Sequence, residues 1–192
     1  TLPFSAGGNG GNGGSTQGGG VFVNTGTATF LNDTIVDNQA FISIASGAGG
    51  APGDAGGSGG VKGNPGTMGT ADGGGYFTQG ATSNLGNTIV DLNSAGNTST
   101  GTLVSTSPDL AGAFTSLGHN LLGSTAGATI TPTTGDRTGV TAPQLNLGPL
   151  QNNGGSVPTD ALLSGSVAID AGDKTLLPST ITTDARGTGF PR

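Results

Sequence analysis

Residues 18–40 read GGGVFVNTGTATFLNDTIVDNQA, and residues 73–95 read GGGYFTQGATSNLGNTIVDLNSA. The two stretches align with a single one-residue gap: each begins with three glycines, carries an aromatic residue (Phe22 and Phe77), and contains the string TIVD. Short β-branched runs between Gly and Asn turns, in a unit of about twenty residues, are typical of one coil of a parallel β-helix. The repeat therefore predicts an all-β fold, a right-handed parallel β-helix built as a solenoid of stacked coils.

The two TIVD strings also predict which side chains fill the core. Side chains alternate between the two faces of a strand, so we expect Ile35 and Ile89 to point inward and to stack on each other. Val36 and Val90 then point outward or toward a corner. Asn residues favour turns, and the turn positions after the strands are assigned to Asn38 and Asn93.

Two glycine-dominated tracts, residues 7–20 and 47–75, repeat Gly at every third position through much of their length. This is the period of an extended left-handed threefold helix, as in collagen or polyglycine II. Without Cβ atoms such helices approach closely, and they need neighbours for hydrogen bonding. The tracts predict ordered threefold helices packed on each other or on another subunit, with a flexible linker as the alternative. The residues assigned to assembly are Leu2, Phe4, Gly7, Gly10, Gly13, Gly50, Gly53 and Gly56.

These features divide the chain into three parts. Residues 1–17 are a Gly-rich N-terminal arm whose apolar tip is suited to docking on a neighbouring subunit. Residues 18–150 are expected to form the parallel β-helix, in about five or six coils, with a polyglycine-II-like or collagen-like insertion at 47–75. Residues 151–192 are expected to pack as an irregular C-terminal cap or tail.

The composition excludes several classes of protein. Of 192 residues, 41 are Gly, only 8% are charged, and every acidic residue is Asp. Strong helix formers are therefore scarce, which excludes a helical bundle. Five Lys and Arg against a net charge of -6 cannot form the basic surface that nucleic acid requires. No apolar run approaches the roughly 18 residues of a membrane span, and without Cys there is neither a disulfide nor a thiolate metal site.

Three strings in the second half carry a family resemblance: SLGHNLLGS at 116–124, LGPLQNNGGSVPTDALLSGSVAIDAGD at 147–173, and TTDARGTGFPR at 182–192. With the repeats, they resemble the choice-of-anchor and polymorphic-outer-membrane-like bacterial surface proteins with right-handed parallel β-helices. The chain departs from that pattern at Thr159 and Asp160, where the family commonly has a threonine-histidine pair, and in the extra Thr188 and Gly189. The resemblance implies secretion and an extracellular or cell-surface structural role, with no catalytic activity common to the family.

The polar residues offer little catalytic chemistry. Asp37 and Asp91 align in the two TIVD strings and predict a column of two carboxylates, but no basic residue recurs beside them, so we expect no enzyme activity. His119 is the only histidine and is expected to be a hydrogen-bonded corner residue. Carboxylates can bind Ca²⁺ or cap turns. The candidates for one structural Ca²⁺, with turn capping as the alternative, are Asp170, Asp173 and Asp184; no other cofactor is expected.

We expect a structural protein that assembles with itself, head to tail, as the subunit of a filament, sheath or surface layer. An uncapped β-helix leaves an open edge of backbone N–H and C=O groups, and such an edge is a template for another chain. An adhesin, or an ice-binding or carbohydrate-binding module that contacts cell-surface polysaccharide, is the alternative. A polysaccharide-active enzyme is the third hypothesis. None of these three hypotheses involves nucleic acid or a membrane span.

Overall fold

The computed structural model describes residues 6–42, 61–97 and 108–191. This part of the chain is mostly parallel β-sheet with almost no helix: it contains the four-residue helix α1 (Ala142–Leu145) and one 3-10 turn (Lys174–Leu176). Several residues assigned to assembly lie outside the described residues, so the structure does not bear on them. These are Leu2, Phe4, Gly50, Gly53 and Gly56.

The strands form stacked layers that follow the chain order. The first layer consists of β1 (Thr16–Gln17), β2 (Val21–Val23), β3 (Thr27–Leu31), β4 (Thr34–Val36) and β5 (Gln39–Ile42). The second layer consists of β6 (Ala71–Asp72), β7 (Tyr76–Thr78), β8 (Thr82–Gly86), β9 (Ile89–Asp91) and β10 (Ser94–Asn97). The third contains β11 (Leu110–Gly118) and β12 (Leu121–Leu122), and two short strands lie on it, β13 (Ala128–Thr129) and β14 (Arg137–Thr138).

The first two layers repeat with a constant offset along the chain. Thr16 pairs with Ala71, Val21 with Tyr76, and every other parallel pair between these layers keeps the same spacing. The offset is 55 residues, which is the sequence separation of Asn38 and Asn93, two residues that hydrogen-bond across the two layers. The unit of about twenty residues predicted from the sequence is therefore wrong, as is the division of residues 18–150 into five or six coils. Within the described residues, each of the first two layers contains five short strands, because Gly and Asn turns interrupt the β-branched runs.

This offset corrects the predicted stacking of Ile35 on Ile89. The separation of the two TIVD strings in the sequence is one residue shorter than the offset between the two layers. Ile35 therefore pairs with Val90, and Thr34 pairs with Ile89. A one-residue slip in a strand moves each side chain to the opposite face. Val90 is accordingly fully buried beside Ile35, while Ile89 is partly buried against a different apolar cluster.

The offset also places the described part of the second glycine tract. Residues 61–70 lie beside residues 7–16, and β6 pairs with β1 directly after them. Residues 61–75 are therefore part of the second layer, and the prediction that they belong to an insertion between coils is wrong.

The main core lies inside a curled sheet. Its six strands comprise β2, β7, β11, β8 and β3 in that order, with β13 added to β11. The first two residues of β11 pair with β7 and its later residues pair with β8, so the sheet curls into a half-barrel. Inside it, three aromatic rings contact one another from layer to layer. The ring centroids of Phe30 and Tyr76 lie 5.1 Å apart, those of Tyr76 and Phe114 lie 5.0 Å apart, and both pairs meet edge to face. Such pairs add to the stabilisation that burial provides.

Two smaller clusters complete the interior. In the part of the chain that the structure describes, one consists of Ala40, Ile42, Ala71 and Ala95, and it lies beside the glycine tracts. The other joins Leu121, Val140 and Leu145 to Val167 and Ala168, which attaches the C-terminal segment to the stack. Residues 146–191 are largely irregular, and isolated antiparallel bridges such as Leu147 with Leu162 join parts of this segment.

Candidate functional site

The first layer presents an open sheet edge. Each of its strands, β1 to β5, lies at the end of its sheet among the described residues. Thr82 donates its N–H to the Gly26 carbonyl and Asn32 donates to Gly86, so the even-numbered residues around β3 bond to the second layer. Backbone groups alternate in direction along a strand. The N–H and C=O groups of Thr27, Thr29 and Leu31 therefore point away from the second layer, toward the open side.

The main core is also less well covered at this end. Val21, Val23 and Phe30 of the first layer are only partly buried, whereas Tyr76 and Leu85 in the second layer are fully buried. On the outer surface Phe22 is 49% exposed and its ring lies 5.6 Å from that of Phe77, as their alignment in the sequence predicts. The apolar interior of the stack thus continues to the open edge, where nothing in the described part of the chain completes it.

The glycine tracts lie side by side with a regular hydrogen-bond spacing. Gly7, Gly10 and Gly13 donate their N–H groups to the carbonyls of Val61, Asn64 and Thr67, at 2.8 to 2.9 Å. In the opposite direction the side chains of Asn9, Asn12 and Ser15 accept hydrogen bonds from the N–H groups of Asn64, Thr67 and Thr70. Between residues 7 and 15, every third residue is bonded through its backbone N–H, and every third through its side chain. The bonds between the tracts thus follow the three-residue period of the sequence.

Buried Asx side chains connect the layers at one turn. The Asn93 side chain accepts a hydrogen bond from the Asn38 N–H, and the Asp109 carboxylate accepts one from the Asn93 N–H, each at 2.9 Å. The Asn93 amide also donates to the carbonyls of Ile35 and Asp91. Both asparagines follow β-strands, at the turn positions assigned from the sequence. The bonds that Asn93 forms with Asn38, Ile35 and Asp109 each cross from one layer to the next, so this column fixes the vertical register of the stack.

A second column of the same design lies at a neighbouring turn. The Asn120 side chain accepts from the Thr88 N–H, and the Asp136 carboxylate accepts from the Asn120 N–H. Asn120 is fully buried and its amide donates to the Leu85 carbonyl. The sequence patterns predict no role for Asn120 or Asp136. Each lies shortly after a glycine, which is a weak signal, because Asn and Asp follow Gly at many turns of this chain.

Two carboxyl groups are buried together beside this stack. Asp91 and Asp109 are 5% and 4% exposed, and a Cβ on Gly123 would overlap a carboxylate oxygen of each. One Asp91 oxygen accepts from the Leu92 N–H, whereas its Oδ2 has no partner in the described structure. Burial, together with the nearby charge of Asp109, raises the pKa of Asp91 to about 6. The predicted column of Asp37 with Asp91 is wrong, because the offset between the layers pairs Asp91 with Val36.

A groove of about 940 Å³ lies between the first layer and the C-terminal segment. Leu31 and Asp33 line one wall, and Pro158, Asp160 and Arg186 line the other. Burial, and the charge of Asp37, raise the pKa of the Asp160 carboxyl. The groove combines apolar side chains with carboxylates, which suits an uncharged or cationic ligand that carries hydroxyl groups.

The calcium candidates occupy separate structural roles. Asp173 caps the 3-10 turn by accepting from the Thr175 N–H, and the Asp184 carboxylate forms an ion pair with Arg186 at 2.6 Å. Asp170 is exposed and has a left-handed backbone conformation, with φ of 54°. Across the described ranges no three His, Cys, Asp or Glu residues form a group suited to holding a metal ion. His119 lies at a corner with φ of 59°, and its Nδ1 donates to the Ala171 carbonyl at 2.8 Å.

Comparison of the chain with family models, with curated protein sequences and with solved structures found no match. Where the chain is described, no helix has the length and apolar character needed to cross a membrane.

Proposed function

We propose that this protein is a structural subunit that assembles with itself through the open edge of the first layer. The observation that supports the proposal is the combination of five strands at the ends of their sheets with a partly uncovered apolar core above them. A parallel edge with unpaired N–H and C=O groups is a template for another chain. Charged side chains, especially Lys, are one of the means by which natural edges are protected. Residues 6–42 contain no Lys or Arg, and only Asp33 and Asp37 are charged.

We also propose the finer architecture of the stack and the cellular location of the protein. The constant offset between the layers and their parallel pairing support a right-handed parallel β-helix, since parallel crossover connections are almost always right-handed. The three-residue hydrogen-bond spacing of the glycine tracts supports polyglycine-II-like packing. The resemblance of three strings to bacterial surface β-helix proteins supports a secreted subunit of a cell-surface filament, sheath or surface layer that joins head to tail. The proposal assigns no catalytic role, because the paired carboxyl groups of Asp91 and Asp109 are buried.

A proline in β3 tests the role of the edge. Thr29→Pro removes an N–H that points to the open side, and leaves the backbone hydrogen bonds to the second layer in place. Thr29→Val is the matched control: it keeps that N–H, but loses the same hydrogen bond from Asn84 to the Thr29 hydroxyl. We expect wild type and Thr29→Val to form filaments in negative-stain microscopy and to sediment as large species, and Thr29→Pro to remain a folded monomer. A wild-type protein that stays monomeric at high concentration would refute the proposal.

The groove favours a second candidate function, a carbohydrate-binding adhesin that contacts cell-surface polysaccharide. Its carboxylates can accept hydrogen bonds from sugar hydroxyls, and its apolar residues can contact sugar rings. Asp160→Asn should weaken binding of a panel of polysaccharides, measured by calorimetry, whereas Asp170→Asn, at an exposed site outside the groove-lining residues, should not. Equal binding by both variants would exclude the groove as the binding site.

A further inference from the structure

In the second-layer glycine tract, a closely packed neighbouring backbone leaves no room for side chains at three positions. Gly63, Gly66 and Gly69 form one row facing the first layer, and a Cβ on any of them would overlap a carbonyl oxygen of the tract beneath. The overlapping atoms belong to backbone, which cannot turn aside as a flexible side chain would. Glycine is therefore required at these three positions by close packing of one extended chain on another.

The equivalent row of the first layer lacks such a reason inside the protomer. Gly8, Gly11 and Gly14 occupy the corresponding positions one layer earlier, and a Cβ on each would meet no described atom within 4 Å. None of the three has the left-handed φ that favours glycine. Neither local packing nor backbone conformation in the described structure therefore accounts for glycine here.

The rest of the open edge also has backbone groups and apolar side chains that the described residues leave uncovered or partly buried. Beside this row lie the outward-pointing backbone groups of β2 and β3 and the partly buried side chains of Val21, Val23 and Phe30. In the second layer the corresponding core positions are closed by the layers on both sides. An additional layer placed on this edge would bury all of these groups at once.

We infer that a second copy of this chain packs an extended backbone against Gly8, Gly11 and Gly14, in the way that the first tract packs against Gly63, Gly66 and Gly69. The inference rests on the proposed self-assembly and identifies its closest contact. The occupant is another copy because the chain's own tracts already form this contact, and because the edge carries too little charge to repel an identical molecule. The contact is between backbones, so side chains at the row obstruct it.

The test is the triple variant Gly8→Val, Gly11→Val, Gly14→Val. Thr67→Val is the control, since it places the same side chain at an exposed position of the second tract. Overpacking of a close contact by methyl groups should raise the critical concentration for assembly by on the order of tenfold or more, measured by sedimentation. The control should assemble as the wild type does. Thermal melting of each protein below its critical concentration reports on the fold of the monomer, and we expect no change there.

Each other outcome overturns a defined part of this scheme. If the wild type and the triple variant assemble equally well, self-assembly stands and the contact at the glycine row is refuted. If the wild type remains a monomer, both are refuted. If the triple variant instead lowers the melting temperature of the monomer, the row is covered by another part of the same chain, and the second copy is not its occupant.

Discussion

The side-chain oxygen of Asn93 accepts two hydrogen bonds from Asn38, one from its backbone N–H at 2.9 Å and one from its side-chain amide at 3.0 Å. The two residues lie at equivalent positions of the repeat, so these bonds join equivalent turns of adjacent layers. Asn93 is buried and bonded in both directions, since it also donates to Asp109 in the third layer. Asn38 is only partly buried, at the end of the column.

Asn93→Ala should therefore destabilise the protein more than Asn38→Ala. The substitution leaves the buried carbonyls of Ile35 and Asp91 without their amide donor, and the Asn38 N–H without its acceptor. Asp109 keeps the hydrogen bond from the backbone N–H of residue 93. Unsatisfied buried polar groups cost about 1–3 kcal/mol each, so we expect a loss of ~3 kcal/mol or more for Asn93→Ala, and roughly 1 kcal/mol for Asn38→Ala. Urea denaturation of the monomeric proteins measures both. Equal losses would show that the column is not a cooperative element.

The sequence was sufficient for part of this arrangement. The glycine triplets and the aromatic residues that follow them align Phe22 with Phe77, and the structure pairs these residues. The positions of Asn38 and Asn93 in turns, and the mostly parallel sheet with almost no helix, also followed from local patterns. These features depend on turn chemistry and strand propensity, which act over a few residues and can be identified in the sequence.

The register of β4 on β9 could not be derived in the same way. The four identical letters of TIVD favour pairing Ile35 with Ile89, but the core requires Ile35 and Val90 on one face. The burial of Asp91 beside Asp109 and Gly123 could not be predicted from the sequence for a related reason. These three residues meet only because successive layers stack, and no spacing in the sequence records which layer covers which. The groove likewise depends on where the C-terminal segment lies.

A double-mutant cycle tests the register directly. Ile35→Ala and Val90→Ala remove side chains that pair across adjacent strands in the main core, so their effects on the free energy of unfolding should be non-additive by ~0.5–1 kcal/mol. Ile35→Ala and Ile89→Ala affect different clusters and should be additive. Non-additive effects of Ile35→Ala and Ile89→Ala would instead show that these two residues pair, as the alignment of the TIVD strings favours.

Gly66→Ala should separate the two glycine tracts. The added Cβ would overlap the Gly11 carbonyl oxygen, so the backbones must move apart, at a cost of about 1–3 kcal/mol. Amide exchange provides the local measurement: the N–H groups of Gly10 and Gly13, which bond to Asn64 and Thr67, should exchange faster in the variant. Gly11→Ala is the control, because its Cβ faces open space within the protomer. Fast exchange of both amides in the wild-type protein would show that the tracts are not held together in solution.

The buried carboxyl of Asp91 should make the monomer more stable in mild acid than at neutral pH. Its pKa is about 6 in the folded protein and close to the ordinary value of 3.8 when the chain is unfolded. Between these two pH values the folded state holds a proton that the unfolded state releases, so this contribution is fully present below pH 3.8 and is lost as the pH rises through about 6. The difference between the two pKa values corresponds to ~3 kcal/mol.

Asp91→Asn isolates this contribution, because the amide stays neutral at every pH. The variant should match the wild type near pH 4 and exceed its free energy of unfolding at pH 8 by up to ~3 kcal/mol, measured by urea denaturation across the pH range. Subtracting the two profiles removes the effects of other carboxyl groups, including Asp160, whose pKa is also raised, and Asp173, whose pKa is lowered by hydrogen bonds from Thr175. Parallel profiles for wild type and Asp91→Asn would mean that Asp91 has the same pKa in the folded and unfolded states, and that its burial beside Asp109 does not persist in solution.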